Sequence, residues 1–159
     1  MKNEDLKSDE IIKVITSVFD SVVLGNGVGL FQAQAIDDYK SEAEQQESRL
    51  SDEKQDWRLI SIADLNKCNS SLSFFDAEGM RFHLPAFLVA ELKGEYDFGI
   101  DFCLAHLSGY RESQFLLLNA EQRASIRELL NYMFNLDPEG FSSIDIVNAL
   151  IGFWSEEND

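Results

Sequence analysis

The run FFDAEGMRFHLPAFLVAEL, Phe74 to Leu92, limits the fold more than any other part of the chain. Leu72 and Phe74 alternate with Ser71, Ser73 and Phe75; beyond Asp76-Ala77-Glu78-Gly79, the apolar Met80, Phe82 and Leu84 alternate with Arg81 and His83. A period of two marks a half-buried strand, and two such runs around an acidic, glycine-closed turn predict a β-hairpin. Pro85 then stands where proline suits the first turn of a helix, and Phe87, Leu88 and Leu92 extend an apolar stripe as far as Gly94. Only Arg81 and His83 lack a structural task in this reading. Arg81 is expected to pair with an acid of the same chain, and His83 to pack or hydrogen-bond where the helix begins.

Helical spacing dominates elsewhere. Ser8 is placed to cap a helix whose first turn carries Asp9 and Glu10, with Ile11, Ile12, Ile15, Val18, Phe19 and Val22 on one face. That helix is expected to stop at Gly25-Asn26-Gly27. A second helix reads from Leu30 to Tyr39. The segment 40–56, KSEAEQQESRLSDEKQD, reads as a solvated helix extension followed by a loop, a polar stretch that can be flexible. Ser61 and Asp64 have the spacing of a capping box and open a short helix through Leu65 and Cys68, while Asn119 and Gln122 open a longer one carrying Ile126, Leu129, Leu130, Met133 and Phe134. After the turn Asp137-Pro138-Glu139-Gly140, Ser142 begins the last helix. There Ile144, Ile146, Val147, Leu150, Ile151, Phe153 and Trp154 cover more than one side, a breadth that suggests either central burial or a partner-facing surface, and burial is the expectation.

The cluster GNGVG, Gly25 to Gly29, resembles a phosphate loop only in its glycines. No Lys-Ser or Lys-Thr follows to meet phosphate and magnesium, and the segment before it reads as helix rather than strand. A turn between helices is the reading.

Charge narrows the partners. The 159 residues hold 13 basic and 29 acidic side chains, a formal charge of −16, and no Lys or Arg follows Arg127. Such a field repels a phosphate backbone or an anionic lipid surface, so neither nucleic acid nor membrane is an expected partner. Two cysteines are too few for a disulfide framework, and the N-terminus shows no basic leader or cleavage site, which together predict a cytoplasmic protein with reduced thiols.

Catalytic and metal chemistry find little support. Cys103 and His106 stand at i and i+3, but with fourteen residues between Cys68 and His83 the set lacks the tight ligand pairs of structural zinc. No basic cluster lies near either thiol to activate it. No cofactor, metal or catalytic residue is therefore assigned, although an enzyme using His83 or Cys103 stays open as a third reading.

The segments GVGLFQAQAIDDY, DWRLISIADL, LSFFDAEGMRFHLPAFLVAEL and FLLLNAEQRASIRELL, in that order, resemble a bacterial family of unknown function. The likeness runs from about Gly27 to Leu130 and implies no catalytic residues. In size, acidity and bacterial character the chain is also similar to immunity proteins that neutralise secreted toxins.

These readings predict a single α+β domain over 1–159, mainly helical, with about five helices and a small antiparallel β-hairpin. They predict a non-enzymatic acidic binding protein, most concretely an immunity protein for a basic toxin domain, with a housekeeping scaffold or regulatory subunit as the alternative. The expected contact residues are Asp37, Asp38, Glu95, Tyr96, Asp97 and Asp101, the last four lying in an irregular, aromatic-flanked segment.

Overall fold

The computed structural model describes residues 2–159, and among them every regular element is helical. Nine α-helices run in the order α1 (Asn3–Val18), α2 (Leu30–Asp37), α3 (Glu42–Leu50), α4 (Ile62–Lys67), α5 (Ala77–Leu92), α6 (Asp101–Ala105), α7 (Gly109–Gln114), α8 (Ala120–Leu136) and α9 (Ser143–Ile151), with short 3₁₀ turns at Trp57–Leu59, Asn69–Ser73 and Glu156–Asn158.

The expected β-hairpin, and with it the α+β class, is overturned. Leu72 lies in a 3₁₀ turn, and Ala77 to Leu92 form one helix of 16 residues. Asp76 is the reason. Its carboxylate accepts from the Gly79 amide at 2.8 Å, capping a helix instead of bending a hairpin. The alternation of Met80, Phe82 and Leu84 is part of a helix buried almost all round, since Gly79, His83, Pro85, Ala86, Phe87, Leu88 and Ala90 are buried too. A helix enclosed on every side has no solvent face and therefore no 3.6-residue polarity pattern to read. Pro85 lies well inside this helix rather than in its first turn. Lacking an N–H, it leaves the Arg81 carbonyl without the usual helical donor, a cost the surrounding packing must outweigh.

Around α5 the other elements close. α1 packs against α5 and α8, and Ile11 and Ile15 within it and Phe19 at its C-terminal cap are each fully buried. Ser8 does not cap α1; it lies inside the helix, and its hydroxyl donates to the Leu92 carbonyl at 2.8 Å, tying α1 to the end of α5. Trp57 is buried and donates its indole N–H to the Phe19 carbonyl at 3.0 Å. One continuous apolar cluster reaches from Ile11 to Trp154. Each fully buried Phe or Leu in it contributes on the order of 2 kcal/mol through removal of apolar surface from water.

The segment 40–56 is neither an extension of α2 nor a plain loop. Tyr39 takes a left-handed backbone conformation (φ +57°) that ends α2, and α3 folds back against it under a Ser41–Glu44 capping box. Beyond α3, Asp52 is buried and accepts from the backbone N–H groups of Phe31 at 2.6 Å and Gln32 at 3.2 Å. Asp52 thus occupies the N-terminus of α2, where a bound phosphate would have to sit. Arg49 reaches the carbonyls of Gly25 (2.7 Å) and Gly27 (3.0 Å), so the glycine loop is held by its own chain. Elsewhere the capping signals act locally: Ser61 accepts from the Asp64 amide, and Asn119 and Gln122 cap α8 reciprocally.

Candidate functional site

α9 divides its apolar residues between two sides. Ile146 and Ala149 are buried, and beyond the helix Trp154 is fully enclosed, donating its indole N–H to the Leu104 carbonyl at 2.8 Å. The opposite side carries Ile144 and Ile151, 73% and 74% exposed, with the partly exposed Val147 between them. Phe141, in the turn before α9, is 100% exposed. The spacing 141, 144, 147, 151 is helical, so these side chains form a solvent-facing stripe on the helix and the turn leading into it. A stripe of this kind exceeds the scattered single apolar residues normal on a surface. The expected burial of α9 therefore holds for one of its sides only.

α6 lies against α9. The Ser142 hydroxyl donates to the Asp101 carboxylate, and His106 Nε2 lies 3.2 Å from Asp145 Oδ2. Phe102, 63% exposed, stacks on the His106 ring at 4.3 Å and adds a further apolar face on α6. Acids adjoin this surface in sequence: Asp101 beside Phe102, Asp137 and Glu139 before Phe141, Asp145 beside Ile144. Arg127 is the last cation of the chain, and it is engaged with Asp159 at 2.7 Å.

The predicted contact residues separate. Glu95 and Asp97 are exposed, and Asn66 fixes their loop by donating to the Glu95 carbonyl (3.0 Å) and accepting from the Asp97 amide (2.8 Å). Tyr96 turns inward: it is buried, its ring meets Phe87 edge-on at 5.3 Å, and burial pushes its phenol above the usual range. Phe98, two residues on, is the exposed aromatic of this loop. Asp101 belongs to the α6–α9 surface through Ser142. Asp37 and Asp38 lie at the end of α2, which packs on α3 and the Asn69–Ser73 turn, next to the almost fully exposed Tyr39. They belong to a different group of elements from Asp101.

Sequence reasoning missed Phe141 and Phe102 as surface residues, and it preferred burial for Ile144, Val147 and Ile151 over the partner-facing alternative. The one available signal was the excess breadth of apolar positions on α9, which a sequence cannot divide into inside and outside.

The Cys103 thiol is buried and pushed up to about 11 by desolvation, and Cys68 rises to about 11 for the same reason first. Burial lowers His83 to about 4, so its ring is neutral near pH 7. Arg81 makes no ion pair among the described residues, contrary to expectation, and its Nε is buried without a partner. No group of three or more His, Cys, Asp or Glu among the described residues is placed to hold a metal ion. No described helix is long and apolar enough to cross a membrane.

Neither the curated proteins nor the solved structures include a match to this sequence. A family of unknown function, DUF6714, matches residues 7–158, and the chain belongs to that family.

Proposed function

We propose that this chain is a non-enzymatic binding protein for a basic protein partner, and most concretely an immunity protein that neutralises a basic bacterial toxin effector by direct contact. The observation that carries the reading is the solvent-facing stripe Phe141, Ile144, Val147 and Ile151, set in a stretch from Glu128 to Asp159 that contains seven acids and no Lys or Arg. Apolar anchors supply the dry centre of an interface and surrounding charges steer the encounter. Most of the negative charge is free to act in this way. Among the described residues the ion pairs engage only Asp20, Asp56, Glu128, Asp145 and Asp159, out of 29 acids in the chain.

Burying one large side chain of the stripe fully is worth about 2 kcal/mol. Two or three such anchors are needed before association overcomes its entropic cost. Close charge pairs at an interface add coupling energies of about 1.5 kcal/mol or more and raise the association rate, most strongly at low salt.

The immunity role is tested by growth competition. Deleting the gene in its host is expected to make the strain sensitive to sister cells carrying an intact effector locus, with sensitivity reversed by the gene in trans. An unchanged competition outcome, with no toxin encoded in the adjacent reading frame, would contradict it.

A further inference from the structure

The His83 imidazole is an unused hydrogen-bonding group at the wall of a cavity. Its Nδ1 lies 2.7 Å from the Gly79 carbonyl oxygen, a partner that can only accept, so the proton resides on Nδ1 and Nε2 carries a bare lone pair. The residue is fully buried, and Nε2 has no partner. Phe75 stacks on one ring face at 4.3 Å and Phe82 meets the ring edge-on at 4.9 Å, which fixes its orientation. An acceptor buried in this way is costly unless something donates to it.

The cavity that His83 helps to line has a volume of about 230 Å³ and is bounded by α2, α4, α5, the Trp57–Leu59 turn and the segment after α3. Leu30, Phe31 and Ile60 give it apolar walls; Asp52, Glu53 and Asp64 give it three carboxylates, and no Lys or Arg lines it. Two of those acids are already engaged with backbone amides: Asp52 with Phe31 and Gln32, and Glu53 with Gln55 and Asp56. The Asp64 carboxylate has no hydrogen-bond or ion-pair partner among the described residues. The space equals about eight water volumes of roughly 30 Å³ each, too small for a drug-sized molecule and large enough for a short chain of heavy atoms.

We infer that this cavity is a binding site for a short protonated alkylamine, which donates an N–H to His83 Nε2, sets its charge against the acid-lined wall and rests its carbon chain on Leu30, Phe31 and Ile60. A carboxylate ligand is excluded by like charge on the wall and by the missing donor at Nε2. A neutral alcohol could donate to the imidazole but would leave the carboxylates uncompensated. This inference is independent of the protein-binding reading, because none of its residues belongs to α6 or α9.

The test is a titration of the whole chain with n-butylammonium chloride, followed through the imidazole ¹⁵N resonances at neutral pH, with n-butanol and sodium butyrate as matched probes. The chain has two histidines, so His106→Gln identifies the His83 signals. The expected result is a saturable upfield movement of the His83 Nε2 resonance with butylammonium alone. Asp64→Asn, a change at a partly exposed position, is expected to weaken that binding about fivefold. No saturable movement would mean that the cavity holds water only and would overturn the proposal. So would equal responses to butanol or butyrate, or unchanged binding in Asp64→Asn.

Discussion

Gly27 and Gly79 meet backbone to backbone: a Cβ on Gly27 would lie 2.6 Å from the amide nitrogen of Gly79. The glycine loop therefore exists to let the chain pass close over the first turn of α5. Val28 continues the contact, donating its N–H to the Asp76 carboxylate at 3.0 Å, the same oxygen that caps α5 through Gly79. One carboxylate thus fastens both the loop and the helix.

Gly27→Ala should be destabilising by about 2 kcal/mol, because the atoms in the way are backbone atoms and the Glu78 Cβ of α5, which can yield only by moving the helix or the loop. Urea denaturation should show a lower midpoint with an unchanged slope. An unaltered midpoint would mean that the loop is free to move off α5.

The contact also shows why the fold was only partly legible. Local signals with a chemical partner a few residues away could be read: Asn119 with Gln122, Ser61 with Asp64, and the start of α2 at Leu30 all stand as their spacing predicts. Asp76 and Gly79 read as a hairpin turn in the sequence because an N-cap and a turn use the same residue types. What decides between them is the burial of α5 on every side, a property of its neighbours and not of its own pattern. Asp52, twenty-one residues from the amide it caps, left no local signal at all.

His83 predicts an acid-side loss of stability. Its folded-state value is lowered from 6.5 to about 4, first by desolvation, with the Gly79 carbonyl and the nearby Asp76 charge opposing. Between those values the unfolded chain binds a proton that the folded chain does not, so stability falls as pH drops through 6.5 and continues to fall until about 4. The full loss from this group is about 3 kcal/mol. His83→Asn, which retains a donor for Gly79, should be less stable at pH 7 through its smaller side chain but should show a shallower decline from pH 6.5 to 4 in thermal melts. An equal slope in both chains would show that His83 does not titrate this way.

Asp159 predicts a second, lower window. Arg127 first, then Arg123, hold its carboxylate down to about 2 from 3.8, at distances of 2.7 to 3.1 Å. A carboxylate with a depressed folded value stabilises above its unfolded value, and that contribution disappears as pH falls from 3.8 towards 2. Asp159→Asn should lower the melting temperature at pH 7 and reduce the further change across that window. A melting temperature unchanged at pH 7 would show that the pairing with Arg127 and Arg123 adds nothing to stability.

The candidate surface was legible only as a net charge and as an excess of apolar positions on α9. The acids Asp101, Asp137 and Asp145 could be counted, but their placement beside exposed Phe102, Phe141 and Ile144 depends on α6 packing against α9, thirty-eight residues apart from the end of one to the start of the other. Tyr96 illustrates the reverse difficulty. Its acidic, irregular setting reads as surface, and only the proximity of Phe87 turns it inward.

The most direct measurement compares the wild-type chain with Ile144→Asp/Ile151→Asp as baits for proteins of the native host, at low and at high salt. Both side chains are about three-quarters exposed (73% and 74%), so the double variant should melt within a few degrees of wild type. The account predicts that wild type retains a basic protein at low salt, that high salt weakens its capture, and that the double variant loses it by at least tenfold in a direct titration. Retention of the same partner by the double variant, or a partner that is acidic and indifferent to salt, would contradict the assignment of this surface.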